Sequence, residues 1–278
     1  MISSGKYIRI ILYHSVTFRN GELLMEKSLN GRTLVWAHRG ASAYAPENTL
    51  PAFALAVEMK ADGVELDVHL TKDGEVLVCH NDTINDTSDK SGRIPDMTLA
   101  EIREANFAFR YHDTKYTDKY GFVTAPTLDE VYELLAPTGL TVNVELKSGE
   151  DELLRRCIRL AEEYKITDKV YYSDFNHVDL MRLHEVSPDV PTAPLYFHRL
   201  GKVWDYAGLI GASAIHPDFG QLYEVPETVR ECHARGIRVN PWTVDSEEHM
   251  KKLTELGVDA LITDLPDVAR RIVEGVDK

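Results

Sequence analysis

Glu65 and Asp67 alternate with Val64, Leu66 and Val68 in the run from Gly63 to Leu70, with His69 next on the acidic side. Alternation at period two marks a strand with two chemically different faces. It places the two carboxylates on one face, with Cα atoms roughly 6–7 Å apart. The run from Thr141 to Lys147 repeats the arrangement: Val142, Val144 and Leu146 alternate with Asn143, Glu145 and Lys147. A lone Glu-x-Asp on a strand is more often a surface pair or part of an ion network than a metal site. Two strands that both turn acids toward a shared interior change that balance, because buried carboxylates without compensation are costly. Glu65, Asp67 and Glu145 therefore predict a site for one divalent cation. Three hard oxygen ligands suit Mg²⁺ or Ca²⁺, whereas zinc would ask for histidine or cysteine ligands that the cluster lacks.

The elements that must hold these acids follow a repeating pattern. Strand-like segments are predicted at 34–37, 63–70, 141–145, 170–173, 192–196, 212–216, 237–240 and 260–263. Helices are predicted at 48–60, with Asn48 as N-cap, and at 128–135, 152–164, 177–186, 203–208, 226–235, 247–256 and 266–274. The Asp73-Gly74 turn joins the second strand to an antiparallel partner at 75–80. With that partner set aside, eight strands alternate with helices. This pattern predicts an α/β fold, a (β/α)₈ TIM barrel with a β-hairpin and a small insertion after the second strand. An open doubly wound sheet is disfavoured, since no Gly-rich phosphate loop opens the first helix.

Residues 32–278 are read as one catalytic barrel, with an insertion or cap at about 81–125. Phe107, Phe109, Tyr111, His112, Tyr116, Tyr120 and Phe122 of the insertion are read mainly as its own small core. Residues 1–31 form an N-terminal extension to which no role is assigned. The apolar run from Ile8 to Tyr13 is too short for a membrane span and resembles no signal peptide, so no stable membrane anchor is expected. The net charge of −14 argues against nucleic acid as a partner. Cys79, Cys157 and Cys232 show no ligand spacing and fit a reducing cytoplasm, with Cys79 expected simply to pack. Oligomeric state is not legible.

In a parallel barrel the reacting groups collect at the C-terminal ends of the strands. Here those ends carry His38, Arg39, Glu65, Asp67, Glu145, Lys147, Ser173, His216, Trp242 and Asp264, and the hairpin adds His80. Taken singly, each has a plain structural explanation: a core histidine, a neighbouring ion pair, a hairpin cap. Together they suit phosphodiester cleavage. Arg39 and Lys147 can hold phosphoryl oxygens, and two histidines can divide the proton work between attacking hydroxyl and leaving alcohol.

At these residues the chain resembles the glycerophosphodiester phosphodiesterase family. The resemblance runs from His38 to about Arg270. It rests on His38-Arg39-Gly40, Pro46-Glu47-Asn48-Thr49, Glu65-Leu66-Asp67-Val68, Thr71-Lys72-Asp73-Gly74, His80, Glu145-Leu146-Lys147 and Trp242-Thr243-Val244-Asp245. It implies the barrel fold and metal-dependent hydrolysis of a glycerophosphodiester to sn-glycerol 3-phosphate and an alcohol. It also implies Glu65, Asp67 and Glu145 as metal ligands, His38 and His80 as the catalytic pair, phosphate contacts from Arg39 and Lys147, and Trp242 as a wall beside the glycerol. The chain departs from the family pattern at His80-Asn81, at Asn85-Asp86-Thr87 and at Ser173-Asp174-Phe175. Asn81 and Asp174 are assigned no role. The competing readings are a phosphodiesterase that acts on lysophospholipids or stops at a cyclic phosphate, a non-catalytic glycerophosphodiester-binding barrel, and a metal-assisted aldolase or isomerase using Lys147. The last requires an uncharged lysine that three nearby acids would oppose.

Overall fold

The computed structural model describes residues 28–109 and 119–275. Nine strands form one sheet: β1 Leu34–His38, β2 Gly63–Leu70, β3 Val76–Val78, β4 Thr141–Leu146, β5 Val170–Asp174, β6 Thr192–Tyr196, β7 Ala214–Pro217, β8 Arg238–Val239 and β9 Ala260–Thr263. β3 pairs antiparallel with β2, and the other eight run parallel in the order β8-β7-β6-β5-β4-β2-β1-β9. Asp259 N donates to Val239 O at 2.9 Å and Ile262 N to Pro241 O at 3.1 Å, which joins the two ends. The predicted (β/α)₈ barrel is therefore present. Its helices are α1 Leu50–Glu58, α2 Leu99–Ile102, α3 Leu128–Leu135, α4 Asp151–Glu163, α5 His177–Val186, α6 Val203–Leu209, α7 Gly220–Glu224, α8 Glu227–His233, α9 Glu247–Leu256 and α10 Pro266–Val273.

Val64, Leu66 and Val68 of β2 and Val142, Val144 and Leu146 of β4 face outward. They pack with Phe53 of α1, Leu128 and Val131 of α3, and Leu153 of α4 in one continuous core. Burying such side chains is worth about 1.5–3 kcal/mol each. Register on β2 and β4 is thereby fixed, since a slip by one residue would turn the acids into that core. The helix predicted at 226–235 is α8, and a short helix not predicted, α7, precedes it; the two are separated at Val225-Pro226, where proline lacks the amide that would continue the ladder.

Thr71 shapes the hairpin turn: Gly74 N donates to its carbonyl and Glu75 N to its hydroxyl, both at 2.9 Å. The insertion's core differs from expectation. Among the described residues it is mainly aliphatic, with Leu77, Ile84, Ile94 and Ile102, joined by the aromatic Phe107. Phe122 is exposed, and Tyr120 instead donates its hydroxyl to Tyr44 O at 3.1 Å on the barrel. Tyr111, His112 and Tyr116 lie outside the described residues, as do residues 1–27 of the N-terminal extension. Where the extension enters the described chain, Leu29 N and Ser28 Oγ bond the buried Asp259 carboxylate at 2.7 and 3.1 Å. Cys79 packs in the insertion's core, and burial pushes its thiol up to about 12. Among the described residues no helix is long and apolar enough to cross a membrane.

Candidate active site

Register explains why the acids meet. Asp67 on β2 stands beside Glu145 on β4, and Glu65 stands beside His38 on β1. Glu65, Asp67 and Glu145 are buried, and one carboxylate oxygen from each lies within 4.8 Å of the others. Lys147 Nζ bonds Glu145 and lies 3.0 Å from Asp67 Oδ1. Burial, then repulsion by Asp67, pushes Glu65 up to about 7 and Glu145 up to about 8. Asp67 moves the other way: Lys147 and Arg39 together outweigh its burial and hold it below the ordinary carboxylate range. The same acids outweigh the burial of Lys147 and favour its charged form, which counts against the uncharged-lysine reading. Negative charge thus exceeds what the two neighbouring cations offset. Three converging oxygens with that excess can hold a hard divalent cation.

The His38-Arg39-Gly40 turn brings a cation and an amide to this cluster. Arg39 and Gly40 both take left-handed conformations, at φ 54° and 80°. A Cβ on Gly40 would lie 2.7 Å from Ala52, so glycine lets the turn close onto α1. Arg39 N then donates to Glu65 Oε2 at 3.0 Å, while its guanidinium bonds Glu47 at 2.9 Å and lies 3.5 Å from Asp67.

Asn48 corrects the sequence reading. Thr49, not Asn48, is the N-cap of α1. Asn48 sits in the left-handed region at φ 56° and donates Nδ2 to Asp67 Oδ2 at 2.8 Å. The motif Glu47-Asn48 thus serves the charged cluster: one residue holds Arg39, the other Asp67.

Each histidine has a partner on Nδ1. His38 Nδ1 lies 2.6 Å from Asp264 Oδ1, and His80 Nδ1 lies 2.7 Å from Asn81 Oδ1. Asn81 Nδ2 in turn donates to Asp86 at 2.6 Å, which fixes the way the amide points. Both rings therefore keep Nε2 for other work; that of His38 lies 3.8 Å from Glu65. Burial opposes charge on His38, but the Asp264 bond and Glu65 outweigh it and raise its proton affinity. Burial lowers that of His80, and its partner amide is neutral. Asp264 is legible in the sequence as a strand-end acid; Asn81 and Asp86 stand out there only as departures from the family pattern.

His38, Arg39, Glu65, His80, Glu145 and Lys147 line one cavity at the C-terminal mouth. Phe175, Leu195, Trp242 and Ile262 add apolar lining, and Asn143 and Thr243 also line it. Trp242 Nε1 donates to His216 O at 2.7 Å, so only the indole ring is presented, and Phe175 meets it edge-on at 5.5 Å. His216 and Ser173, read as strand-end candidates, are fully buried beneath this cavity. Burial drives His216 down to about 3, so it stays neutral. A roomier cleft of about 430 Å³ lies outside the barrel near Glu75, Arg103 and Arg156, where Arg103 is already bonded to Glu130 and Arg156 to Glu152.

Residues 38–268 match the glycerophosphoryl diester phosphodiesterase family. A glycerophosphodiester phosphodiesterase of Caldanaerobacter subterraneus subsp. tengcongensis is 37% identical over 245 residues, covering 87% of this chain and 98% of the relative. One from Bacillus altitudinis is 34% identical over 249 residues, with 87% and 98% covered. Among solved structures, an Oleispira antarctica phosphodiesterase in complex with the product sn-glycerol-3-phosphate superposes with TM-score 0.79 at 25% identity, covering 90% of this chain and all of that one (100%). The Thermotoga maritima glycerophosphodiester phosphodiesterase gives TM-score 0.71 at 26% identity, with 86% and 98% covered. With its acids, histidines and barrel in this arrangement, the chain belongs to the glycerophosphoryl diester phosphodiesterase family.

Proposed function

We propose that the chain hydrolyses glycerophosphodiesters to sn-glycerol 3-phosphate and an alcohol, using one divalent cation and the pair His38 and His80. The observation that carries this reading is the cavity itself. It gathers Glu65, Glu145, Arg39, Lys147 and two imidazoles together with apolar side chains, and Asp67 completes the acid cluster. Residues 32–278 act as the catalytic barrel, with 81–125 as an insertion upon it.

Glu65, Asp67 and Glu145 would hold Mg²⁺ or Ca²⁺, which when bound supplies charge compensation to phosphoryl oxygens. Arg39 and Lys147 bind the remaining phosphoryl oxygens and offset the charge that grows in the transition state. One imidazole Nε2 takes the proton of the glycerol 2-hydroxyl as its oxygen bonds to phosphorus. The bond from phosphorus to the alcohol oxygen breaks, and that oxygen takes a proton from the other imidazole. The resulting cyclic phosphate is opened by water with the two imidazoles in exchanged roles, giving glycerol 3-phosphate and restoring both protonation states. Trp242 and Phe175 cover the glycerol carbons.

The test is release of glycerol 3-phosphate from glycerophosphocholine and glycerophosphoethanolamine, first with EDTA and then with Mg²⁺ or Ca²⁺ returned. Release that depends on the cation is expected, and the more effective ion identifies the metal. Tight binding without turnover would select a binding barrel instead. A cyclic phosphate as the end product would remove the second step.

A further inference from the structure

Asn143 is singled out by the alternation on β4, yet the reaction above gives it nothing to do. Its side chain lies on the same face as Glu145, one step deeper and roughly 6–7 Å away along the strand, level with its register partner Glu65. Asn143 lines the cavity while being only 1% exposed. Its Nδ2 donates to Ser173 Oγ at 3.0 Å, which sets the direction of the amide. Its Oδ1 has no hydrogen-bond partner among the described residues. A buried carbonyl oxygen left without a donor costs about 1–3 kcal/mol, so a donor arriving there is strongly favoured. Of the other lining side chains, Phe175, Leu195 and Ile262 carry no polar atom, the Trp242 indole N–H is engaged with His216 O, and Thr243 adds one hydroxyl.

We propose that Asn143 Oδ1 accepts a hydrogen bond from the terminal hydroxyl of the substrate glycerol, making Asn143 the residue that selects a glycerol ester over a deoxygenated one. The 2-hydroxyl must reach phosphorus beside the acids and imidazoles. Its proton goes to an imidazole, so the hydroxyl left to donate to Asn143 Oδ1 is the terminal one. This inference rests on the phosphodiesterase reading above. A site built around a substrate hydroxyl rejects the analogue lacking it, because its own buried polar group is then left unpaired.

The test compares kcat/KM for glycerophosphocholine with that for the phosphocholine ester of propane-1,2-diol, which keeps the attacking 2-hydroxyl and lacks the terminal one. Wild type is expected to favour glycerophosphocholine by at least about tenfold. Asn143→Leu is expected to bring the ratio toward one, mainly by losing the glycerol ester while still turning over the diol ester. Ser173→Ala, which keeps Asn143 but frees its amide, is expected to give an intermediate ratio. A wild-type ratio near one overturns the assignment without any variant, as does an Asn143→Leu enzyme that keeps the wild-type ratio. Cation-loaded wild type that turns over neither ester would overturn the reaction and this assignment together.

Discussion

Asp264 Oδ1 sits 2.6 Å from Nδ1 of His38, across the seam where β9 meets β1. The carboxylate is itself held: Ser42 Oγ lies 2.9 Å from the same oxygen, and Asp264 N donates to Asp245 Oδ1 at 2.9 Å. Burial pushes Asp264 up, but its bond to His38 outweighs this and keeps it ionised. An ionised carboxylate on Nδ1 fixes the tautomer that leaves Nε2 facing the substrate, and it stabilises the imidazolium formed when Nε2 takes a proton. Asp264→Ala is therefore expected to lower kcat by about 10²-fold or more, within the worth of positioned acid–base groups, with KM changing far less. His38→Ala in the same background should add little, since the two act as one unit. Steady-state kinetics of the single and double variants check this, and additive losses would separate the two residues.

His80 is backed by an amide where His38 is backed by a carboxylate. The chain Asp86–Asn81–His80 keeps the charge one residue away from the ring. Asn81→Asp would put a carboxylate on Nδ1, so the proton affinity of His80 should rise from its burial-lowered position. The pH limb assigned to His80 should move to higher pH in this variant, and the limb assigned to His38 should stay. Profiles of kcat/KM against pH measure this directly. An unmoved profile would show that His80 is not one of the titrating groups.

Much of this site is legible in the sequence because β-strand alternation is a hard geometric rule. Alternation alone places Glu65, Asp67, Glu145 and Lys147 on one side of two strands. What the sequence conceals lies in contacts between distant segments. Nothing local tells that Asn48 leaves its capping position for a carboxylate on the next strand, or that Asp264 reaches back to His38. Propensity favours Asn48 as a cap, and the tertiary hydrogen bond to Asp67 overrides it. Among the described residues the insertion departs from its pattern too: isoleucines and Phe107 form its core, whereas Phe122 is exposed and Tyr120 bonds the barrel.

The raised carboxylates also give the fold a pH signature. Glu145 titrates near 8 in the folded chain against an ordinary 4.5, and Glu65 near 7. Between these values the folded state holds protons that the unfolded chain has released, so their contribution to stability falls as pH rises. It is fully present below about 4.5 and lost through about 8 for Glu145. The cation-free protein is thus expected to lose melting temperature between pH 6 and 8.5, and Glu145→Gln should lose less. A bound cation competes with those protons, so its stabilising effect should be larger at pH 8.5 than at pH 6. Thermal melts of both proteins with and without Mg²⁺ decide the matter; equal cation effects at the two pH values would count against these acids as the ligands.

Asn48 offers a way to loosen the acid cluster without removing an acid. Its amide donates to Asp67 Oδ2 from a left-handed backbone position, so alanine there would combine a lost hydrogen bond with conformational strain. Glycine removes the bond while tolerating φ 56°. Asn48→Gly is therefore the cleaner probe. Partners that orient a ligating carboxylate are typically worth about 10–100-fold in metal affinity. The variant should need correspondingly more cation for half-maximal activity and recover most of its kcat once saturated. Cation titrations of initial rate separate these two quantities. A low kcat that no cation concentration restores would mean that Asn48 acts on the reacting groups themselves, through Arg39 and the phosphate, rather than through Asp67.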